Sequence, residues 1–174
     1  VYKRQGPSEK GQELLAKVNN GEELTWDDLN SATWAVMGPT SASGYIYPSL
    51  WLQERYGKTI ADLDNAIQSD SYTTSLARLA SGQADVMVSF GHIRTKNAKD
   101  WQEKLGGTDE MVKQTGIIGV TEPIYNDMIA YSKNSELMQD EDFRKALGDS
   151  FIELAKTDEG KEIFSVFSQI GYEW

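Results

Sequence analysis

The strongest indication of the fold is the stretch Gly38-Pro-Thr-Ser-Ala-Ser-Gly44-Tyr-Ile-Tyr-Pro48, which directly follows the apolar run Thr33–Met37. A short apolar run that ends at Gly-Pro is typical of a buried strand. From Ser41 to Tyr56 the pattern predicts a helix, which Gly57 closes. A strand that passes through a tight turn into a helix is the unit from which α/β folds are built.

The same alternation continues along the chain. Further strands are predicted over Leu63–Ser69, Ala84–Phe90, Thr115–Thr121 and Asp127–Ser132. Helices are predicted over Ser8–Val18, Ser71–Ala80, Ala98–Leu105, Asp140–Lys156 and Thr157–Ile170, with Thr25 as the N-cap of the turn Trp26–Leu29. We therefore expect an α/β fold in which a mostly parallel sheet is flanked by helices, followed by C-terminal helices.

Three parts are expected in the domain organisation. An N-terminal helix and connector occupy residues 1–30, and an α/β ligand-binding lobe occupies residues 31–133. C-terminal helices in residues 134–174 pack on the lobe or on a hinge.

Composition excludes several classes of function. The formal net charge of −10 disfavours nucleic acid, because phosphate backbones require a basic surface. The chain has no cysteine and a single histidine, His92, so thiolate zinc sites and iron–sulfur clusters are excluded, and we expect no cofactor. No secretory signal peptide and no apolar run of about 20 residues is present.

The turn after the first strand has the features of an anion site. Thr40, Ser41 and Ser43 place three hydroxyl groups within four positions, and Gly44 allows a close approach of the backbone. The first N–H groups of a helix lack internal partners and carry partial positive charge, so they bind anions without a basic side chain. The alternative is an ordinary capping turn without a ligand.

Pro48 leaves two arrangements open. A helix that begins near Ser41 would contain Pro48 and bend there, because proline removes one backbone hydrogen bond. Alternatively, the hydroxyl-rich residues form a separate turn, and Pro48 is the first residue of the helix.

Three other segments follow predicted strands, where ligands of parallel sheets bind. Ser69–Ser75 is a second hydroxyl-rich helix start and contains Tyr72. His92 and Arg94 follow the strand Ala84–Phe90, and Arg94 could hold an anion oxygen bidentately. In Glu122–Asp127, either Glu122 or Asp127 could face a ligand's ammonium or P–OH group. The alternatives are ordinary helix capping for Ser69–Ser75, a solvent-exposed loop for His92 and Arg94, and a turn for Glu122–Asp127.

Catalytic interpretations have little support. A serine hydrolase would have to use His92, but the Gly-x-Ser-x-Gly motif is absent, as are the nucleotide-binding glycine motifs. An organic sulfonate or a vitamin precursor is a second class of ligand, and an aromatic pocket around Tyr45, Tyr47 and Tyr72 would favour it.

Taken in order, several motifs resemble the phosphonate/phosphite-type periplasmic binding proteins, which capture substrates for ABC importers. The motifs are Trp26-Asp-Asp-Leu29, Thr40-Ser-Ala-Ser-Gly-Tyr-Ile-Tyr-Pro48, Tyr72, Gly82-Gln-Ala-Asp-Val86, Glu122-Pro-Ile-Tyr-Asn-Asp127, Phe143-Arg-Lys-Ala-Leu147 and Gly160. The resemblance covers the chain from about Leu24 to its end.

The resemblance implies a type II periplasmic binding protein whose two α/β lobes close on the ligand. Thr40, Ser41 and Ser43 would hold phosph(on)ate oxygens, Tyr72 would contact the ligand, and Asp127 would face its other end. The implied location is extracytoplasmic, either periplasmic or as a cell-surface lipoprotein, and the implied partners are the importer's membrane subunits. We expect a monomer and no enzymatic activity.

Two departures from the family pattern shape the expectation. Only about thirty residues precede the Trp26–Leu29 motif, so we expect a fragment that lacks most of the first lobe. His92 and Arg94 stand near the place where aminophosphonate binders carry an additional acidic residue. A compact oxyanion or a plain alkylphosphonate is therefore favoured over a ligand with an amine.

Overall fold

A computed structural model describes residues 8–124 and 129–165. The chain divides into two compact units, with the boundary between Ile124 and Tyr125. The two units are described separately below.

The first unit contains a small parallel sheet with the strand order β2-β1-β3. Strand β1 (Trp34–Val36) is fully buried in the centre and pairs in parallel with β2 (Ala66–Gln68) and β3 (Val86–Met87). Each strand lies within a predicted strand and is shorter than predicted. The α/β class with a parallel sheet is confirmed.

Helices surround this sheet. They are α1 (Glu9–Asn19), α2 (Trp26–Asn30), α3 (Tyr47–Tyr56), α4 (Tyr72–Ser81), α5 (Ile93–Lys96), α6 (Ala98–Glu103) and α7 (Met111–Gln114), with a π turn at Ala42–Ile46 and a 3-10 turn at Ile60–Asp62. Thr25 caps α2 with its hydroxyl group as predicted, and Ser8, predicted as the first residue of a helix, is the N-cap of α1. Gly57 and Gly82 end α3 and α4 in the left-handed conformation that glycine adopts without strain.

Two hydrophobic clusters form the core of this unit. The first lies around Trp34, whose indole N–H donates to the Leu29 carbonyl at 2.8 Å. The second surrounds Trp101, which is fully buried and donates to the Gln114 side chain at 2.8 Å. In both clusters a buried tryptophan keeps its N–H group hydrogen-bonded, which avoids the cost of an unsatisfied donor.

The strand predicted over Thr115–Thr121 is wrong, because this segment has no regular secondary structure. Its glycines instead lie against helices: a Cβ at Gly116 would come within 2.0 Å of the Leu15 side chain, and one at Gly119 within 2.6 Å of Trp51. Ile118 packs against the first core cluster, while Ile117 is 55% and Val120 74% exposed. The segment therefore crosses α1 and α3 through close glycine contacts and joins no strand of the described sheet.

The second unit is helical in its described part, with α8 (Glu136–Gln139), α9 (Glu141–Leu154) and α10 (Asp158–Ser165). Asp140 caps α9 by accepting from the Asp142 and Phe143 amides, so the helix begins as predicted. Of the strand predicted over Asp127–Ser132, residues 129–132 are irregular, which contradicts the prediction there, and Asp127 and Met128 lie outside the described residues. In the described ranges no helix is long and apolar enough to cross a membrane.

One ion pair predicts a pH dependence of stability. Lys17 Nζ lies 2.6 Å from Asp28 Oδ1, and the Thr25 N–H and hydroxyl donate to the other oxygen at 3.0 Å. The hydrogen bond from Lys17 is the main cause that lowers the pKa of Asp28 from 3.8 to about 2. Because the folded pKa is the lower one, this stabilisation is complete above pH 3.8 and is lost as the pH falls towards 2.

We predict that Asp28→Asn lowers Tm at neutral pH by about 2–4 °C, because a lost capping interaction costs about 1 kcal/mol. The difference in unfolding free energy between the chain and Asp28→Asn should shrink between about pH 4 and pH 2. Chemical denaturation at a series of pH values measures this difference in unfolding free energy. Asp62→Asn is the matched control, because Asp62 forms the same capping box at Thr59 and its pKa is lowered by the Thr59 bonds without a hydrogen bond from lysine, so its difference should shrink less. A difference for Asp28→Asn that stays constant over this pH range would contradict the prediction.

Candidate functional site

The structure brings the two hydroxyl-rich helix starts together. The Ser43 hydroxyl lies 2.7 Å from the Tyr72 hydroxyl, and the Ser41 hydroxyl lies 3.4 Å from it. The cause is the sheet, because β1 and β2 are parallel neighbours and their carboxyl ends lie at one edge. We call this group of Ser41, Ser43 and Tyr72 the hydroxyl cluster.

The first helix start has a particular backbone geometry. The π turn Ala42–Ile46 contains hydrogen bonds from Ile46 N to Ser41 O at 3.0 Å and from Tyr47 N to Ala42 O. Pro48 follows as the second residue of α3. The π turn runs directly into α3, and Ile46 already has a helical conformation, so the helical segment begins after Ser41 and contains Pro48, as in the first of the two arrangements.

Both starts present unpaired amides. Ser41 Oγ accepts from Gly44 N at 3.2 Å and Ser71 Oγ accepts from Thr74 N at 3.1 Å, so each serine caps its own helix start. The amides of Ala42, Ser43, Tyr72 and Thr73 have no acceptor among residues 8–124 and 129–165. Four N–H groups at helix starts, beside three hydroxyls, form a region of positive potential made without a basic side chain.

Gly44 is held against Met37, a residue that the sequence analysis did not single out. A Cβ at position 44 would lie 2.3 Å from Met37 Cγ and 2.6 Å from Met37 Cβ. Gly44 O also accepts a hydrogen bond from Met37 N at 3.0 Å. The end of β1 and the π turn are therefore in direct contact, and only glycine fits there.

Phe90 was also missed as part of the site. Its ring stands edge-on to Tyr72, with 5.2 Å between the ring centroids and 90° between the planes. Lys96 Nζ lies 5.6 Å from the centroid of the Phe90 ring. The phenol of Tyr72 is thus held between an aromatic ring on one side and the serine hydroxyls on the other.

Of the remaining predicted site residues, Thr40 and Tyr45 lie on the first turn. Thr40 is exposed next to Ser41, and Tyr45 is half-buried and packs against the first core cluster. His92 is exposed and stands at the N-cap position of α5 without a side-chain capping bond. Asp127 lies outside the described residues.

Arg94 has other partners than the predicted anion. Its Nη2 donates to the carbonyls of Val112 and Thr115, both at 3.0 Å. This guanidinium joins α5 to the end of α7, which sequence alone gives no means of finding because the contact spans about twenty residues.

Charged groups near the second start act in opposite directions. Arg78 Nη1 donates to Ser69 Oγ at 2.8 Å and to Gln68 O at 3.0 Å, at the carboxyl end of β2. Asp70 accepts from the Thr74 hydroxyl at 2.6 Å, and this hydrogen bond lowers the pKa of its carboxyl. Asp70 is therefore ionised at neutral pH, so an anion here would depend on local donors rather than on net charge.

The comparison with known families gives one match. The family model described as ABC transporter, phosphonate, periplasmic substrate-binding protein matches residues 3–173. No curated protein matches the sequence. Among the described residues, no group of His, Asp and Glu side chains could hold a metal ion.

We predict that Gly44→Ala disrupts the turn while Gly38→Ala does not. The added methyl collides with Met37 at position 44, whereas at position 38 its nearest neighbour is Gln68 Nε2 at 3.5 Å, an ordinary contact. Gly44→Ala should lower the unfolding free energy by about 1–3 kcal/mol, the usual cost of overpacking. Denaturant titration of both variants measures this, and equal stabilities would contradict the predicted contact.

We also predict that the hydroxyls of Ser43 and Tyr72 are energetically coupled. A double-mutant cycle with Ser43→Ala and Tyr72→Phe should give about 0.5–1.5 kcal/mol of coupling, the net worth of one hydrogen bond. The control cycle pairs Ser43→Ala with Tyr45→Phe, because the Tyr45 ring packs against the core cluster. Coupling as large in the control as in the test cycle would argue against the hydroxyl link.

Proposed function

Since the chain belongs to the periplasmic substrate-binding proteins of phosphonate ABC transporters, we propose that it captures a small phosphonate-, phosphite- or phosphate-like anion at the hydroxyl cluster. The family is a substrate-binding component of transporters rather than an enzyme family, and its members are extracytoplasmic. The proposal concerns where the ligand binds and which ligand it is.

The observation that carries the proposal is the 2.7 Å contact between Ser43 and Tyr72. It joins two separate helix starts through their hydroxyls, and the unpaired amides belong to the same residues or to their chain neighbours. A tetrahedral oxyanion has three or more oxygens pointing in different directions, and donors from two helices can satisfy them together. A single capped helix would offer donors from one side alone.

The hydrogen bonds of such a site can supply the free energy that micromolar binding requires. Each hydrogen bond to a charged oxygen contributes about 1.5–3 kcal/mol, and micromolar affinity requires about 8 kcal/mol. One hydroxyl proton is used between Ser43 and Tyr72, so six of the seven donors remain, and at about 2 kcal/mol each four of them are enough. The charge of the whole chain, −10, opposes the anion, which is consistent with recognition by short-range hydrogen bonds.

Other residues have supporting roles in this proposal. Thr40, exposed beside Ser41, contributes a further hydroxyl, and His92 borders the ligand from the loop after β3. Gly44 is buried and holds the turn against Met37. Arg94 acts through its carbonyl contacts by fixing the loop that carries His92.

A compact anion is favoured over a larger organic ligand. Tyr45 packs against the first core cluster, and among the described residues the ring contact of Tyr72 is with Phe90 rather than with Tyr45 or Tyr47. We further propose that the protein acts as a monomer that delivers its ligand to the importer's membrane subunits, as a periplasmic protein or as a lipoprotein at the cell surface.

We predict that phosphate, phosphite or methylphosphonate shifts the amide resonances of Ala42, Ser43, Tyr72 and Thr73 when it is titrated into the labelled chain. Ser43→Ala should weaken the binding about 10- to 100-fold, because one hydrogen bond to a charged oxygen is lost. NMR titration detects even millimolar binding and names the residues involved.

The matched control is Ser81→Ala, which removes a serine hydroxyl at the far end of α4, where it donates to the Arg78 carbonyl. This variant should bind as the unmodified chain does. 2-Aminoethylphosphonate should bind more weakly than methylphosphonate. If none of these anions shifts the four amides, the proposed function is wrong.

A further inference from the structure

Pro48 has a consequence for the neighbouring backbone that goes beyond ending a turn. In a regular helix the carbonyl of Gly44 would accept from the N–H of the residue four positions later, and that residue is Pro48. Proline has no N–H, and its ring also pushes away the carbonyl four positions earlier. Gly44 O therefore has no partner within the helix at that position.

The Gly44 carbonyl oxygen instead accepts a hydrogen bond from the backbone at the end of β1. Gly44 O accepts from Met37 N at 3.0 Å, across the loop between β1 and the π turn. A second bond, from Ser41 N to Gly38 O at 2.9 Å, closes the same loop from inside. The buried Pro48 thus directs the Gly44 carbonyl towards the strand rather than along the helix.

The π turn fits the same explanation. Its two wide hydrogen bonds, from Ile46 to Ser41 and from Tyr47 to Ala42, would be followed by a bond to Ser43 O from position 48, which proline cannot make. The turn stops there and the α-helical pattern takes over. π turns are uncommon and concentrate at functional sites, because the extra residue redirects the backbone.

We propose that Pro48 is a positioning residue for the anion site, and this inference rests on the proposed function. By withholding an N–H group, Pro48 keeps Gly44 O bonded to Met37 N and so fixes where the free amides of Ala42 and Ser43 point. An N–H at position 48 would compete for Gly44 O in an α-helical pattern, or would bond Ser43 O and extend the π turn. Either bond would change the direction of these amides.

The test compares Pro48→Ala with Pro39→Ala, a control that removes an exposed proline from the same loop. We expect Pro48→Ala to speed hydrogen exchange of the Met37 amide at least tenfold and to weaken binding of methylphosphonate at least tenfold. We expect its Tm to fall by about 2–4 °C, because Pro48 is buried and the smaller alanine costs about 1 kcal/mol of packing. Pro39→Ala should change none of these quantities.

The amide of Val88, which donates to Ala35 O of β1, separates a positioning role from a structural one, because general destabilisation would speed its exchange together with that of Met37. The inference is overturned if Met37 exchanges at the same rate in Pro48→Ala, or if binding is unchanged. It is also overturned if exchange of Val88 is accelerated as much as that of Met37. If the unmodified chain binds none of the anions, the proposed function fails, and Met37 exchange alone still decides whether Pro48 controls the turn.

Discussion

The hydrogen bond from Met37 N to Gly44 O connects the sheet to the site. It runs from the last residues of the central strand to the turn that carries Ser41 and Ser43, and the same two residues are in van der Waals contact. Because β1 is the middle strand, its neighbours set where the next helix start lies, and this places Tyr72 within reach of Ser43. The position of the hydroxyl cluster therefore depends on one strand end and one glycine.

Local chemistry explains what could be predicted from sequence. The cap at Thr25 and the glycine ends of α3 and α4 depend on residues within one turn, and they were found where expected. The parallel arrangement of β1, β2 and β3 also follows from the alternation of elements along the chain. The convergence of the two helix starts was implied by the rule for strand ends, although no sequence pattern gives the 2.7 Å contact.

Long-range contacts explain what could not be predicted. The apolar residues of Thr115–Thr121 have the spacing of a strand, but the glycines among them are pressed against Leu15 and Trp51, residues far away in sequence. Arg94 was predicted to bind an anion. Its Nη2 instead donates to the carbonyls of Val112 and Thr115, which are distant in sequence. Met37 looked like an ordinary strand residue, because its importance arises only when Gly44 lies against it.

The glycine contacts of the segment after α7 have an evolutionary consequence. A methyl group at position 116 has no room unless Leu15 becomes smaller, so the volumes of these two positions are linked across a hundred residues of sequence. The same holds for position 119 and Trp51. In homologues, a change at one position of such a pair should therefore be accompanied by a compensating change at the other. Ile117 and Val120 are exposed, so they should vary independently.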